Sequence, residues 1–225
     1  MLEDRLPALK EQLIEYGSLV ETMIDKAIQG LMRKDRIMLS NVIDRDEPRA
    51  NALEIELDEL CTTLVAQYQP IARDLRTVLM ILKMNSDLER MADHAVNIAE
   101  SAMFLVERAP VKPLLDIPRM AEGVVRMVSD SLRSFITEDA KLAKSVCERD
   151  DEIDSLARQV LRELITYMSA DPSTIERGLH LLDIAGNLER IADLSTNIGE
   201  DVIFMVEGRV IKHHKEEEQA PSNPA

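Results

Sequence analysis

Apolar residues recur at spacings of three and four along most of the chain, and polar or charged residues fill the positions between them. This period is typical of amphipathic α-helices that bury one face. Prolines bound the periodic stretches, because proline lacks a backbone N–H and disfavours helix at the preceding residue. The prolines near predicted helix ends are Pro7, Pro70, Pro110, Pro113, Pro118 and Pro172. The pattern predicts helices at roughly 6–33, 35–68, 71–108, 117–134, 137–169 and 174–208.

Pro48 and a proline-rich connector interrupt this helical pattern. Pro48 falls inside the second predicted helix, so that helix either starts later or is kinked. Prolines crowd the stretch around Ala109–Ile117, which we predict to connect two domains. The predicted units are a first domain at 1–109, a second domain at 117–211 and a disordered tail at 212–225.

The chain repeats part of itself at a distance of 100 residues. Residues 87–100 align without gaps on residues 187–200, and eight of the fourteen pairs are identical. Self-similarity over such a distance indicates a duplicated structural unit. The sequence therefore predicts an all-α fold of two tandem homologous three-helix bundles, built from six long antiparallel helices.

Charge and composition restrict the possible ligands. Among 225 residues, 42 Asp and Glu outnumber 27 Lys and Arg, giving a formal net charge of -15. Such a charge repels polyanions, and Trp is absent, so we do not expect nucleic acid to bind. Seven glycines are few for Gly-rich phosphate loops. No apolar run approaches the ~18 residues of a membrane span, so we expect no membrane insertion and a cytoplasmic location.

Polar side chains form a ridge on each copy of the repeated helix. The first ridge consists of Glu89, Asp93, Asn97 and Glu100, and the second ridge of Glu189, Asp193, Asn197 and Glu200. At about 100° per residue, the members of one ridge lie within about 80° of one another. Like charges one turn apart cost about 0.2–0.5 kcal/mol per pair. A divalent cation would offset that cost, because hard metals bind several carboxylate and amide oxygens.

Further polar residues precede each ridge in the sequence. Those of the first half are Asn51, Glu54 and Asp58, and those of the second half are Asp150, Asp151 and Asp154. Packed antiparallel against the ridge helices, they would complete oxygen-rich sites. The repeat is imperfect here, because Ala157, Arg158 and Leu161 lie near the places where Glu54 and Asp58 would recur. The second half is therefore expected to bind metal differently or less tightly.

Two other interpretations of the ridges stay open. Acidic residues on a helix are often only a solvated face, and the chain would then be a metal-free helical dimerisation module. Alternatively, the ridges form the active site of a metal-dependent enzyme, which would need an open coordination position and a substrate pocket. Neither a Ser-His-Asp arrangement nor a Glu-x-x-His pair accompanies the ridges, so we expect no catalysis. Duplication of the ridge favours metal binding over a merely solvated face.

The repeated motifs resemble those of the PhoU family of phosphate-uptake regulators. The two copies read Asp-Leu-Glu-Arg-Met-Ala-Asp-His-Ala-Val-Asn-Ile-Ala at 87–99 and Asn-Leu-Glu-Arg-Ile-Ala-Asp-Leu-Ser-Thr-Asn-Ile-Gly at 187–199. The stretches Asn51-Ala-Leu-Glu-Ile-Glu-Leu-Asp58 and Gln69-Pro-Ile-Ala-Arg-Asp-Leu-Arg76 match as well. The resemblance extends over nearly the whole chain.

This resemblance implies a cytoplasmic, two-repeat helical bundle whose Glu/Asp-x-x-x-Asp motifs bind metal ions. The implied ligands are Glu89, Asp93, Glu189, Asp193, Glu54 and Asp58, with Asp150 and Asp154 as a looser match. The implied ion is iron, manganese, magnesium, zinc or calcium. The resemblance also implies a negative-regulatory adaptor between a phosphate ABC transporter ATPase and a sensor histidine kinase, and we expect it to be a homodimer. The net charge predicts that free phosphate does not bind directly.

Overall fold

The computed structural model describes residues 2–207, which form a bundle of long helices. The helices are α1 (Leu2–Arg33), α2 (Arg36–Asn41), α3 (Glu47–Tyr68), α4 (Ala72–Val106), α5 (Asp116–Thr137), α6 (Ala140–Ala170) and α7 (Ile175–Glu207). A π-helical turn at Val42–Asp46 joins α2 to α3, and a 3-10 turn at Pro172–Thr174 precedes α7. The described residues contain no strand, so the predicted all-α fold is confirmed. The predicted tail at 212–225 lies outside them.

Two prolines and one turn refine the predicted helix limits. Pro7 lies inside α1 rather than at its start, because α1 already begins at Leu2. Pro48 lies in the first turn of α3, where its missing N–H is least costly, and the π turn directly precedes it. The helix predicted at 117–134 continues to Thr137, because Glu138 adopts the left-handed conformation that closes α5.

Two three-helix units pack against each other. Helices α1, α3 and α4 contact one another, as do α5, α6 and α7, and the units meet where α4 contacts α7 and α1 contacts α5. Their buried apolar side chains form a single core, in which Tyr16 and Phe135 are the largest fully buried residues. The connector between α4 and α5 is anchored by Lys112, whose buried ammonium group donates to the carboxylates of Asp116 and Glu163. Within residues 2–207, no helix has the combination of length and apolar content that crossing a membrane requires.

The turn after the first helix of each unit has the same construction. Lys34 and Glu138 have φ of 55° and 52°, a left-handed conformation that ends α1 and α5. The following residues, Asp35 and Asp139, cap the next helix, each accepting hydrogen bonds from two backbone N–H groups. The two aspartates are 104 residues apart, and this register makes Met120 of α5 the counterpart of Tyr16 in α1. Both side chains are fully buried.

The π turn changes that register by one residue. The buried residues Ala50, Leu57 and Cys61 of α3 have the same spacing as the buried Ile153, Val160 and Leu164 of α6, whereas the buried Leu64 has the exposed Tyr167 as its counterpart. These sets are 103 residues apart, so the first half contains one extra residue, as a π turn inserts. In this register Ala157 and Leu161 replace Glu54 and Asp58, whereas Asp154 takes the place of Asn51. The predicted imperfection of the repeat is therefore present in the structure.

Polar contacts tie α4 to α7 where the two units cross. His94 donates from Nδ1 to Asn187 Oδ1 at 2.9 Å, and Ser101 Oγ donates to Asp183 at 2.7 Å. Asp87, at 7% exposure, is buried at the same crossing. Burial raises the pKa of Asp87 from 3.8 to about 6; Lys83 lowers it, and the nearby Asp201 carboxylate raises it. Asp87 thus keeps a buried carboxyl at the junction of the two units.

Candidate metal centre

The first ridge and α3 bring three carboxylates together. On α4, the predicted apolar face, including Leu88 and Met91, is fully buried, which leaves Glu89 half-buried and Asp93 exposed on the outer side. Glu54 of α3 lies close enough for its charge to act on Glu89. Burial raises the pKa of Glu89, and the charges of Asp93 and Glu54 raise it further. The two helices therefore place like charges side by side, as the sequence predicts.

Two buried oxygens adjoin this carboxylate group. Tyr16 is 0% exposed, and its pKa is raised by burial and by the charges of Glu54, Glu89 and Asp93. Asn85 is 1% exposed, and its Nδ2 donates to the backbone carbonyl of Glu54 at 2.9 Å. Within the described part of the chain, neither Tyr16 Oη nor Asn85 Oδ1 has a hydrogen-bond partner. Buried polar atoms are almost always paired, so these two oxygens need an explanation.

The outer carboxylate of α3 belongs to the edge of the same group. Asp58 is exposed, one turn beyond Glu54, and its Oδ1 lies 3.4 Å from Asn85 Nδ2. Its charge also raises the pKa of Cys61, after the larger effect of burial. Asp58 therefore lies on the same side of the bundle as Glu54.

The second ridge gathers a similar but not identical group. Burial and the nearby Asp154 raise the pKa values of both Glu189 and Asp193. Arg158 lies close enough to lower the pKa of Glu189, so this group contains its own cation. The positions equivalent to Tyr16 and Asn85 are occupied by Met120 and Ala185, which have no side-chain oxygen. The second group thus has fewer oxygens, and Arg158 adds to the opposing charge that Arg90 and Arg190 supply in the two groups.

Asp150 lies near the end of the second ridge. Burial raises the pKa of the Cys147 thiol, and the charges of Glu200, Asp150 and Glu148 raise it further. Asp150 thus shares its surroundings with Glu200 of the second ridge. Across residues 2–207, the side chains as they stand include no group of three or more His, Cys, Asp or Glu that could hold a metal ion.

Tyr16 and Asn85 were not among the residues that the sequence singles out. Asn85 precedes Glu89 by four residues on α4, so helical spacing alone contains the signal for it. Tyr16 comes from α1 and joins the group only through the packing of α1 against α3 and α4. No local pattern in the sequence contains that information.

The duplicated bundle with a carboxylate group on each half defines a class of two-repeat helical proteins, and comparison with known proteins identifies the class. A model of the PhoU domain matches residues 13–102 and 117–202. Together these matches span well over half of the chain, which therefore belongs to the PhoU family.

Relatives and solved structures agree with this assignment. The phosphate-specific transport system accessory protein PhoU homolog of Aquifex aeolicus is 43% identical over 208 residues, covering 92% of this chain and 94% of that protein. Homolog 2 of Thermotoga maritima is 33% identical over 217 residues, covering 96% and 92%. The crystal structure of PhoU from Pseudomonas aeruginosa superposes with a TM-score of 0.88 at 34% identity, covering 93% of this chain and 100% of that one. The crystal structure of the phosphate transport system regulatory protein PhoU from Streptococcus pneumoniae superposes with a TM-score of 0.85 at 28% identity. The match covers 94% of this chain and 100% of that one.

Proposed function

We propose that this chain is an accessory and regulatory protein of a phosphate transport system, and that its two carboxylate groups bind metal ions. The observation that carries the metal part is the convergence of like charges from separate helices. Glu54 of α3 faces Glu89 and Asp93 of α4, and each half of the protein builds such a group. Bringing like charges together costs free energy, which a bound cation would offset. The names of the relatives support the transport part.

The donor chemistry of the first half fits a hard cation. Glu54, Glu89 and Asp93 would hold it, with Asp58 at the edge, and the two unpartnered oxygens lie beside them. In the second half Asp154, Glu189 and Asp193 would act, with Asp150 further along α6. Oxygen donors suit magnesium, manganese, calcium or iron, and accept zinc less readily. The ion would supply positive charge that neutralises each group and fixes the shape of that surface.

Thermal unfolding with and without metal tests this proposal. At a concentration of about 100 times Kd, a metal adds about 2.7 kcal/mol of stability, which raises Tm by roughly 5–10 °C for a chain of this size. We expect this rise with Mn²⁺. The double variant Glu89→Gln/Asp93→Asn should lose most of it. A charge-matched control, Glu56→Gln/Glu59→Gln on the exposed side of α3, should keep it. An unchanged Tm for the wild type across Mn, Mg, Fe, Zn and Ca salts would refute metal binding.

The adaptor role is the second part of the proposal, and the names of the relatives, accessory and regulatory proteins of phosphate transport, support it. We propose that the metal-loaded protein docks on the transporter ATPase and on the sensor histidine kinase, and restrains both when phosphate is sufficient. A pull-down of both partners should succeed with the wild type and with Glu56→Gln/Glu59→Gln. It should weaken with Glu89→Gln/Asp93→Asn and with EDTA. If the wild-type protein still retains both partners after EDTA treatment, docking does not depend on metal.

Phosphate status should reach the protein through the transporter. The net charge of -15 opposes binding of a free phosphate dianion. Isothermal titration of the metal-free protein with phosphate should therefore give no heat of binding at micromolar concentrations. Micromolar affinity without metal would overturn this part.

A homodimer is the proposed assembly. Leu79 and Leu179 are counterparts in the repeat, and they are 53% and 55% exposed. Exposed apolar side chains at matching positions suit a symmetric contact. Light scattering of the wild type should give twice the chain mass of 25.4 kDa. The double variant Leu79→Glu/Leu179→Glu should give the mass of one chain, because charged side chains would oppose the apolar contact.

A further inference from the structure

The most informative unexplained group in the molecule is the hydroxyl of Tyr16. It is fully buried, and no hydrogen-bond partner for it exists in the part of the chain that the structure describes. A buried hydroxyl without a partner costs roughly 1–3 kcal/mol. A fully apolar side chain would avoid that cost, and the equivalent position in the second half has one, Met120.

The surroundings of the hydroxyl are acidic on the sides of α3 and α4. Glu54 of α3 and both Glu89 and Asp93 of α4 act on Tyr16 through their charges. The carboxylates lie toward solvent and the tyrosine lies beneath them, so an ion that enters from outside would meet the carboxylates first and the phenolic oxygen last. Tyr16 would thus be the innermost of four oxygen-bearing residues, which come from three helices.

We propose that Tyr16 Oη is a further ligand of the first metal site, and that this phenolic oxygen makes the site selective for a hard trivalent cation. The inference rests on the proposed metal binding and extends it. A phenol oxygen binds such a cation by losing its proton to water as the metal–oxygen bond forms. Divalent ions draw that proton less strongly, so they gain less from Tyr16. The second site, with Met120 in place of Tyr16 and with Arg158 nearby, would take divalent ions only.

Ferric ion is a suitable probe, because a direct bond between phenolate and Fe³⁺ absorbs visible light. The chain contains three tyrosines, and the other two, Tyr68 and Tyr167, are partly exposed at 38% and 43%. The double variant Tyr68→Phe/Tyr167→Phe therefore leaves Tyr16 as the sole tyrosine. The wild type and this double variant, loaded with ferric citrate, should show equal visible absorption per chain. Tyr16→Phe should lose at least nine-tenths of it and bind ferric ion about tenfold more weakly.

Controls separate this inference from the function on which it rests. Mn²⁺ binding at the second ridge should be the same in Tyr16→Phe as in the wild type. Colourless iron-loaded wild type that still binds Mn²⁺ through Glu89 and Asp93 would overturn the role of Tyr16 alone. Wild-type protein that binds neither Mn²⁺ nor ferric ion would overturn both. If Tyr16→Phe fails to fold, the variant Tyr68→Phe/Tyr167→Phe tests the inference by itself. Tyr16 is its sole tyrosine, so visible absorption supports the role of Tyr16 and its absence overturns that role.

Discussion

The two halves of the molecule share a core but differ in polar chemistry. Buried and exposed positions follow nearly the same pattern along α4 and α7. Both units also have the same left-handed turn and aspartate cap. Side-chain oxygens differ: the first half has Tyr16 and Asn85 beside its carboxylates, where the second has Met120 and Ala185. Since both halves keep the core and the caps, those features determine the fold. The polar positions differ between the halves, so we expect any functional difference to lie there.

The two halves should lose similar stability when matching core side chains are truncated. Leu88→Ala and Leu188→Ala each remove a fully buried side chain, so each should cost about 2–5 kcal/mol of unfolding free energy. Urea unfolding monitored by circular dichroism measures both. Costs that differ by more than about 2 kcal/mol would show that the two cores are not equivalent.

The crossing of α4 and α7 breaks the equivalence, because Asp87 is paired in the repeat with Asn187. The folded-state pKa of Asp87 is about 6, above its ordinary 3.8, so the folded state favours the protonated form. The protonated Asp87 therefore contributes to the free energy of unfolding below pH 4, and this contribution is lost as pH rises through 6. Asp87→Asn should therefore stabilise the protein at pH 7 by on the order of 2 kcal/mol.

The pH dependence of that variant supplies its own control. The stability difference between Asp87→Asn and the wild type should shrink as pH falls toward the ordinary pKa of 3.8, because Asp87 then becomes protonated in the unfolded chain as well as in the folded one. Thermal unfolding from pH 4 to 8 follows it. A difference that stays constant over this range would place the effect in packing instead of charge.

Arg158 distinguishes the two carboxylate groups. Its charge acts on Glu189, so Arg158→Ala should leave the second group more negative and tighten Mn²⁺ binding there. The side chain is exposed, and screening limits the gain to about fivefold, or ~1 kcal/mol. Titration at low and high salt measures it. Asp58→Arg in the first half should weaken binding by a similar factor, and tightening there would contradict the electrostatic explanation.

The shared turns give the smallest effect. Asp35 and Asp139 each accept backbone hydrogen bonds at 2.9–3.1 Å from the first turn of the next helix. Asp35→Ala and Asp139→Ala should each cost about 1 kcal/mol in unfolding free energy, measured in urea. The double variant should lose the sum, because the turns are independent. A loss confined to one variant would show that the halves use their caps differently.

The sequence predicts those features that depend on local spacing. Helical periodicity, prolines and the 100-residue repeat predict the helices and their duplication, and the four-residue spacing of Glu89 and Asp93 predicts the first ridge. The contribution of Tyr16 depends on how α1 packs on α3 and α4, which no local pattern encodes. Pro48 signals an irregularity without revealing its form, because a kink, a later start and a π turn all accommodate the missing N–H. The positions of the carboxylates indicate where a cation would bind. That a cation binds there stays a prediction.

The π turn at Val42–Asp46 adds one residue to one copy of the repeat. In a regular α-helix, one extra residue would turn everything after it by about 100°. The π turn absorbs the extra residue locally, because buried residues of α3 and α6 keep the same spacing beyond it. One copy of the helix thus carries an additional residue without exposing its core, and Glu54 differs from its counterpart Ala157 by substitution alone.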